Sequence, residues 1–565
     1  MKPSRTLLYL ALATAACTSS LHAQSLLIRG GTLIDGTGRS AIQNAQILIR
    51  DGLIAEIRAG DASERDGGVE VLEAGGKFII PGLIDSHIHY RDSNAELFLA
   101  HGVTTVNDLG NPYQWQAALK KGFNSGRMFG PRYFFCGEIG LQDANAEQRP
   151  TVERRGLDTI RKPEDAPGIV KRLKDRGIDC IKLDENFSGE LFSAIARAAH
   201  ASGMKVISHS LNAADSIGWG IDGVEHMVGV AVATAASPRA KEAVGRLRLE
   251  AGHKNSSLYQ WMEPLEFDRL IQDLTNRHVF INPTLSFEWK ALSERSQQHE
   301  REDLRLFNTP QLSYFLLDDR LMILGQYHWA DNRPPEEIRQ FKNGYRMVQQ
   351  FLKKFAEAGG KIYAGTDSSA ATTPGLSLHH EMELLVDAGL SPMQAIQAAT
   401  TNGAEIVGLE SKLGTIEKGK ITDLVLLDAN PLENIANTKK IFRVIKDGRI
   451  VDTEYHGDYE IPIKRPGPES KHLYNPVPQL RDVLPPIAVE GESVSLRILG
   501  QGFTPNSVVK FDGRILETRW INSTELRAAL ATSQTARVGT FLITVETPKP
   551  GGGLSGPVEF LITFK

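Results

Sequence analysis

Six residues have the types and spacing to hold cations and move protons: His87, His89, Lys182, His209, His226 and Asp367. In Pro81-Gly82-Leu83-Ile84-Asp85-Ser86-His87-Ile88-His89, a strand period of two puts Asp85, His87 and His89 on one face and turns Ile84 and Ile88 to the other. Two imidazoles on one face can bind one ion, although such a triplet also fits a half-buried strand carrying polar residues. Lys182 lies in Ile178-Asp179-Cys180-Ile181-Lys182-Leu183, where a buried ammonium is expensive unless neutralised or paired. A neutral lysine can take up carbon dioxide, and the resulting carbamate is an anionic two-oxygen ligand able to bridge two cations. The plainer alternative is a lysine that snorkels to the strand end. His209, His226 and Asp367 each close a strand-like run, and each alone fits a satisfied polar residue. Jointly the six occupy strand ends, where the hydrolytic residues of a barrel gather.

The elements that must position them alternate between strand and helix patterns over residues 81–407, which argues for βα units and a parallel sheet. Eight strands are expected, ending near His89, Asp108, Cys136, Lys182, His209, His226, Thr284 and Asp367; eight parallel strands suit a closed (β/α)8 TIM barrel. The clearest unit is a helix over 168–176 stopped by Gly177, a strand over 178–183, a helix over 189–202 capped by Ser188 and stopped by Gly203, and a strand over 205–209. The long intervals 230–276 and 288–360 read either as surface helices or as cover for the active site.

Residues 24–80 and 408–455 carry similar β segments, with strong hairpin signals at Asp51-Gly52 and Asp447-Gly448. They suggest one discontinuous small β-sandwich built from both ends of the chain around the inserted barrel. A Pro-rich stretch, 456–484, reads as a semi-rigid linker, and 485–565 as a separate all-β module.

Lys plus Arg (64) nearly balances Asp plus Glu (68), so no global field points to nucleic acid or anionic membrane as the main partner. Lys2 and Arg5 before the apolar run 7–16 read as an export signal, removed after Ala23 so that Gln24 comes first. Lipid attachment at Cys17 is the alternative, and either places the protein in the periplasm or outside the cell. Beyond Cys17 only Cys136 and Cys180 remain, too few for a disulfide framework, so the fold is expected to stand on its core.

The sequence resembles the amidohydrolase superfamily from about Ser25 to Val451. The matching residues are the 81–89 segment, Lys182, His209, His226, Gly365-Thr366-Asp367, Leu378-His379-His380-Glu381, Ala388-Gly389-Leu390-Ser391, the run 413–424, and Val444-Ile445-Lys446-Asp447-Gly448. The resemblance implies that His87, His89 and Asp367 hold one divalent ion, His209 and His226 a second, and carboxylated Lys182 bridges them. Histidine and carboxylate ligands suit zinc, manganese, cobalt or iron, with zinc taken first. The branch it most resembles holds imidazolonepropionase-like and prolidase-like dipeptidases, many of which carry Gly-Gly-His after the third strand. This chain has Cys136-Gly137-Glu138 there and Met227 after His226, departures that bear on recognition of a dipeptide's α-carboxylate. The C-terminal module resembles immunoglobulin-like IPT/TIG domains through 489–493 and Gly500-Gln501-Gly502-Phe503, and would serve as a spacer or contact a surface or polysaccharide.

The expected activity is hydrolysis of a small-molecule amide (a dipeptide, an N-acyl amino acid or a cyclic amide) by a hydroxide between two ions, with Asp367 as proton shuttle. Two rivals are a one-metal deaminase-like or imidazolone-type hydrolase, which needs His87, His89, a third histidine and Asp367 but no bridging lysine, and a catalytically silent exported binding protein.

Overall fold

The computed structural model describes residues 25–60, 69–141, 157–183, 187–251, 256–368, 371–465, 475–548 and 552–565. The proposed export signal, Gln24 and Cys17 therefore lie outside the described residues. Among the described residues no helix is long and apolar enough to cross a membrane.

Both ends of the first 450 residues meet in one hydrogen-bonded sheet. Its strands run in the order Arg449–Ile450, Ile441–Lys446, Leu424–Leu427, Phe78–Pro81, Ser25–Leu33, Ile42–Arg50 and Leu53–Ala59, with Glu70–Glu73 added beside Ser25–Leu33. The ends join where Leu424–Leu427 pairs antiparallel with Phe78–Pro81. Both Asp-Gly turns adopt left-handed backbone, with φ +51° and +76° at Asp51-Gly52 and +51° and +74° at Asp447-Gly448, as a tight two-residue hairpin demands. The two tips touch: a Cβ on Gly448 would stand 2.7 Å from the Cα of Gly52.

The inserted unit is a mixed α/β domain around a parallel sheet. Seven strands follow one another in space as in sequence: Leu83–Ile88, Val103–Asp108, Arg132–Leu141, Cys180–Leu183, Lys205–Ser208, Gly223–Glu225 and Phe280–Asn282. The expected eighth strand is not a regular one. Residues 361–368 instead make isolated parallel bridges to both edges, Ile281↔Ile362 and Ile88↔Ser368. Tyr363 N donates to Ile281 O at 3.0 Å and Ser86 N to Ala364 O at 3.0 Å, so this segment closes the ring. Regular pairing fails because Asp367 turns to φ +52°. The seventh strand stops at Asn282, before the expected Thr284, because Pro283 has no N–H to give and Thr284 adopts φ +46°.

The expected βα unit is present with small shifts: helix Ala166–Asp175, strand Cys180–Leu183, helix Gly189–Ala201 and strand Lys205–Ser208. Ser188 caps the second helix by accepting from Leu191 N at 3.3 Å. The long intervals are helical. Helix Pro335–Glu357 buries Phe341, Tyr345, Val348, Phe351, Leu352 and Phe355 along one stripe, the spacing that seats a helix on a core.

The two cysteines beyond Cys17 make one bridge and no framework. Cys136 and Cys180 form a disulfide, with their Cα atoms 4.4 Å apart. They are 44 residues apart in sequence but directly opposed in the register of the third and fourth strands, an adjacency that a count does not reveal.

Residues 475–548 and 552–565 form two further sheets around a core of their own that includes Leu496, Ile498, Leu526, Ile543, Val545 and Phe560. The start of the expected semi-rigid linker is docked on the inserted unit. Ile461 is buried, the carbonyl of Ile463 accepts from Trp115 Nε1 at 2.9 Å, and Arg465 N donates to Asp92 at 3.0 Å.

Candidate metal centre

The first strand delivers His87 and His89, the fifth and sixth end at His209 and His226, and the closing segment brings Asp367 back against the first. Nε2 of His89 lies 3.1 Å from Asp367 Oδ1 and Nε2 of His87 3.5 Å from the same oxygen. Across the ring, the Nε2 atoms of His209 and His226 stand 3.0 Å apart. Two groups therefore have ligand atoms within 4.8 Å of one another: His87, His89 and Asp367, and His87, His209 and His226. His87 belongs to both.

Close approach is built into the sequence at Gly365. A Cβ there would stand 2.6 Å from the Cβ of His87 and 2.5 Å from Asn282 Nδ2, so any side chain would push Asp367's segment off the first strand.

Partners behind the imidazoles decide which nitrogen faces inward. His87 Nδ1 lies 2.6 Å from Glu225 Oε2, which also accepts from Asn282 Nδ2 at 2.8 Å, while Oε1 accepts from the Tyr363 hydroxyl. Burial opposes ionisation of Glu225, but its contact with the His87 ring and the nearness of Lys182 hold it well below the usual carboxylate range. An ionised Glu225 accepts the Nδ1 proton and leaves the Nε2 lone pair of His87 aimed into the site. His226 Nδ1 is likewise 2.6 Å from Thr284 Oγ1, whose own proton goes to the carbonyl of Pro283 at 2.9 Å. That leaves His226 Nε2 as a lone pair. Burial, with His209 beside it, holds His226 well below the ordinary imidazole range and so in its neutral, ligating form.

Two buried atoms lie here without a hydrogen-bond partner, His87 Nε2 and Lys182 Nζ, and Asp367 Oδ1 faces the imidazole nitrogens of His89 and His87. Buried polar groups in native proteins are nearly always satisfied, and an ammonium without an acceptor is the costliest kind to leave. Two imidazole nitrogens facing each other at 3.0 Å also need a positive charge between them when both present lone pairs. The donor set is nitrogen and carboxylate oxygen, which fits borderline divalent ions. Burial raises the cost of charge at Asp367, yet His87 and His89 hold it well below the usual range, so it stands as an anion among imidazoles. Asp85 lies just beneath, accepting from Thr366 N at 3.1 Å and Thr366 Oγ1 at 2.7 Å, and burial pushes it up to about 7.

The structure thus gathers all six predicted residues at one end of the ring. Sequence reasoning missed Glu225, Asn282, Thr284 and Tyr363 as supports. Strict strand alternation turns Glu225 away from the side used by His226. His226 escapes that alternation with φ +60°, so both residues serve the interior. The one available signal was a carboxylate, Glu225, in a strand otherwise buried on both faces.

Residues 340–451 match the sequence profile of the amidohydrolase family, a stretch that contains Asp367 and none of the other five. An L-hydantoinase of Paenarthrobacter aurescens is 21% identical over 430 residues, covering 71% of this chain and 85% of that protein. An uncharacterized protein of Mycobacterium tuberculosis (strain ATCC 25618 / H37Rv) is 43% identical over 94 residues, 15% of this chain; the match spans 14% of that relative's length. Among solved structures, a Xaa-Pro dipeptidase with bound methionine shares the fold, with TM-score 0.53 and 22% identity over 76% of this chain and 100% of its own.

Proposed function

We propose that the protein is an exported metal-dependent amidohydrolase that cleaves an amide-type C–N bond in a small molecule. The observation that carries this reading is the gathering of unpartnered His87 Nε2 and Lys182 Nζ with the Asp367 carboxylate and the facing pair His209 and His226. His87, His89 and Asp367 would hold one divalent ion, zinc in the first instance, and His209 and His226 a second, with Lys182 as a carbamate between them. When bound, such ions acidify water and polarise a carbonyl.

The chain's own residues do the rest. Glu225 and Thr284 keep the Nε2 lone pairs of His87 and His226 pointed inward. Asp367 accepts a proton from the attacking water and returns it to the departing nitrogen, a transfer its place between His87 and His89 permits. The substrate belongs to the class of dipeptides, N-acyl amino acids and cyclic amides, a breadth matched by a hydantoinase and a dipeptidase among the similar proteins. The C-terminal sheets are read as an immunoglobulin-like IPT/TIG module that acts as a spacer.

A second reading has an observation of its own. His87, His89 and Asp367 already form a group able to hold a single ion, with His209 and His226 beside His87 to offer a third histidine, the set that a one-metal deaminase-like or imidazolone-type hydrolase would use without a bridging lysine. Metal analysis of purified protein, combined with a hydrolysis screen across the three amide types, separates the readings. Two metals per chain, falling to one or none with near-total loss of activity in Lys182→Ala, is the expected result. A metal-replete and fully active Lys182→Ala protein would establish the one-metal alternative.

A further inference from the structure

Helix Ser296–Phe307 lies in the excursion between the seventh strand and the closing segment, and most of its residues are polar. Its buried residues are nevertheless His299, Asp303 and Phe307, four apart along one face. A polar face turned inward must find partners or bear the full cost of desolvation. Asp303 finds two hydroxyls, Thr373 Oγ1 at 2.7 Å and Tyr327 OH at 2.7 Å. Nearby Lys290, 3% exposed, donates to the carbonyls of Ile323 at 3.2 Å and Ala371 at 2.5 Å, with its ammonium 4.4 Å from the centre of the Tyr327 ring.

Both charged groups thus grip the same short stretch, 371–373, which begins four residues after Asp367. The middle residue of that stretch reaches back to the site: Thr372 Oγ1 donates to the carbonyl of Thr366 at 2.9 Å. Thr366 is itself fastened to Asp85 by its backbone and its hydroxyl. Between them Asp367 holds a left-handed backbone, which a residue with a side chain keeps only where its surroundings impose it.

We infer that Lys290 and Asp303 are positioning residues that clamp 371–373 and thereby hold the Asp367 carboxylate on His87 and His89. A buried cation that spends its hydrogen bonds on backbone carbonyls, one of them in this stretch, fits that role. So does a buried carboxylate satisfied by a hydroxyl two residues further on. This inference rests on Asp367 as ligand and proton carrier, and it adds a task for the excursion, whose helices would otherwise be plain outer packing.

The test uses the full-length, metal-loaded protein and three variants. Thr373→Val removes the hydroxyl that Asp303 accepts with little change of shape, Thr373→Ser returns it, and Lys290→Met removes the cation. Deuterium uptake of a peptide spanning 366–377, metal content, and separate kcat and KM on an amide substrate are measured. Expected for Thr373→Val and Lys290→Met are faster uptake and a kcat loss of about 10- to 100-fold, the scale of a small misplacement of a reacting group, with KM and metal content near wild type. Thr373→Ser should restore both readouts. Wild-type uptake and kcat in Thr373→Val, a Thr373→Ser variant as impaired as the valine, or a loss confined to KM or thermal stability overturns the inference. Should Lys290→Met not fold, the Thr373 pair decides. Should the wild type cleave no amide, the functional reading fails while deuterium uptake still decides the clamp.

Discussion

Among the described residues, two buried clusters of histidines and acids are organised on opposite plans. In the outer one, between helices Ser296–Phe307 and Leu376–Asp387, His299 and His380 stack face to face with ring centres 3.9 Å apart and planes 11° apart. Their nitrogens diverge: His299 Nε2 goes to Glu383 at 2.9 Å and His380 Nε2 to Glu302 at 2.9 Å, while Lys439 pairs with both carboxylates. In the inner one the imidazoles of His209 and His226 point at each other, and Lys182 has no acceptor. The outer acids have cations of their own, although His299 Nδ1 lacks a partner, whereas the inner cluster turns imidazole nitrogens and a carboxylate toward one another and leaves His87 Nε2 and Lys182 Nζ without partners. Histidine and carboxylate content is therefore uninformative by itself. What separates a structural network from a ligand site is whether the lone pairs diverge onto internal partners or converge.

The comparison breaks first at Asp367. Asp367→Asn keeps the shape and one ligating oxygen but removes the base, and kcat should fall by about 10² to 10⁴-fold with KM nearly unchanged and metal content retained. Metal must be assayed on the same sample, because loss of the ions would abolish activity for another reason. Near wild-type kcat with both metals in place would remove the proton-carrying role.

Next comes the outer cluster, where damage should appear in stability and leave the metal alone. Glu383→Gln breaks a buried ion pair and should cost about 3–5 kcal/mol near neutral pH, measured by denaturant unfolding, without lowering metal content. Coincident metal loss would show that the two clusters are not independent.

A smaller effect sharpens the contrast within one helix. Burial works against Glu383's charge, but the His299 hydrogen bond and Lys439 hold it down at about 2; two residues earlier, burial pushes Glu381 up to about 7 against the N–H groups of Ser286 and Leu285. A depressed carboxylate contributes stability that is present above its ordinary value near 4.5 and lost as pH falls through about 2. A raised one contributes stability that is present below 4.5 and lost as pH rises through about 7. The advantage of wild type over Glu383→Gln should therefore shrink from pH 4.5 downward, and that over Glu381→Gln from pH 4.5 upward. Unfolding curves across pH 3 to 8 check the two signs, and equal signs would break the distinction. The smallest effect is expected from removing residues 478–565, which should leave kcat unchanged because their core is separate and every proposed ligand precedes them.

Much of the architecture was legible in local pattern. The Asp-Gly tips, the Ser188 cap and the helix and strand around Lys182 follow from turn chemistry and periodicity, which act over a few residues. The eighth strand was legible only as an apolar run ending in Gly-Thr-Asp; that it would make bridges and not a ladder depended on the left-handed turn at Asp367. Helix Ser296–Phe307 reads from its composition as solvated, and its inward polar face exists only because Glu383, Lys439 and Thr373 come from elsewhere to meet it.

The sequence by itself determined which groups could do chemistry and the strand ends that would carry them, because residue type and period two are local properties. Only the tertiary structure decided which nitrogen of each imidazole faces inward, that Glu225 stands behind His87, that Cys136 meets Cys180, and that His87 lies within reach of both ligand groups. Those are contacts between segments tens to hundreds of residues apart. Their geometry is set by ring closure and by left-handed turns at His226, Thr284 and Asp367, which no spacing along the chain encodes.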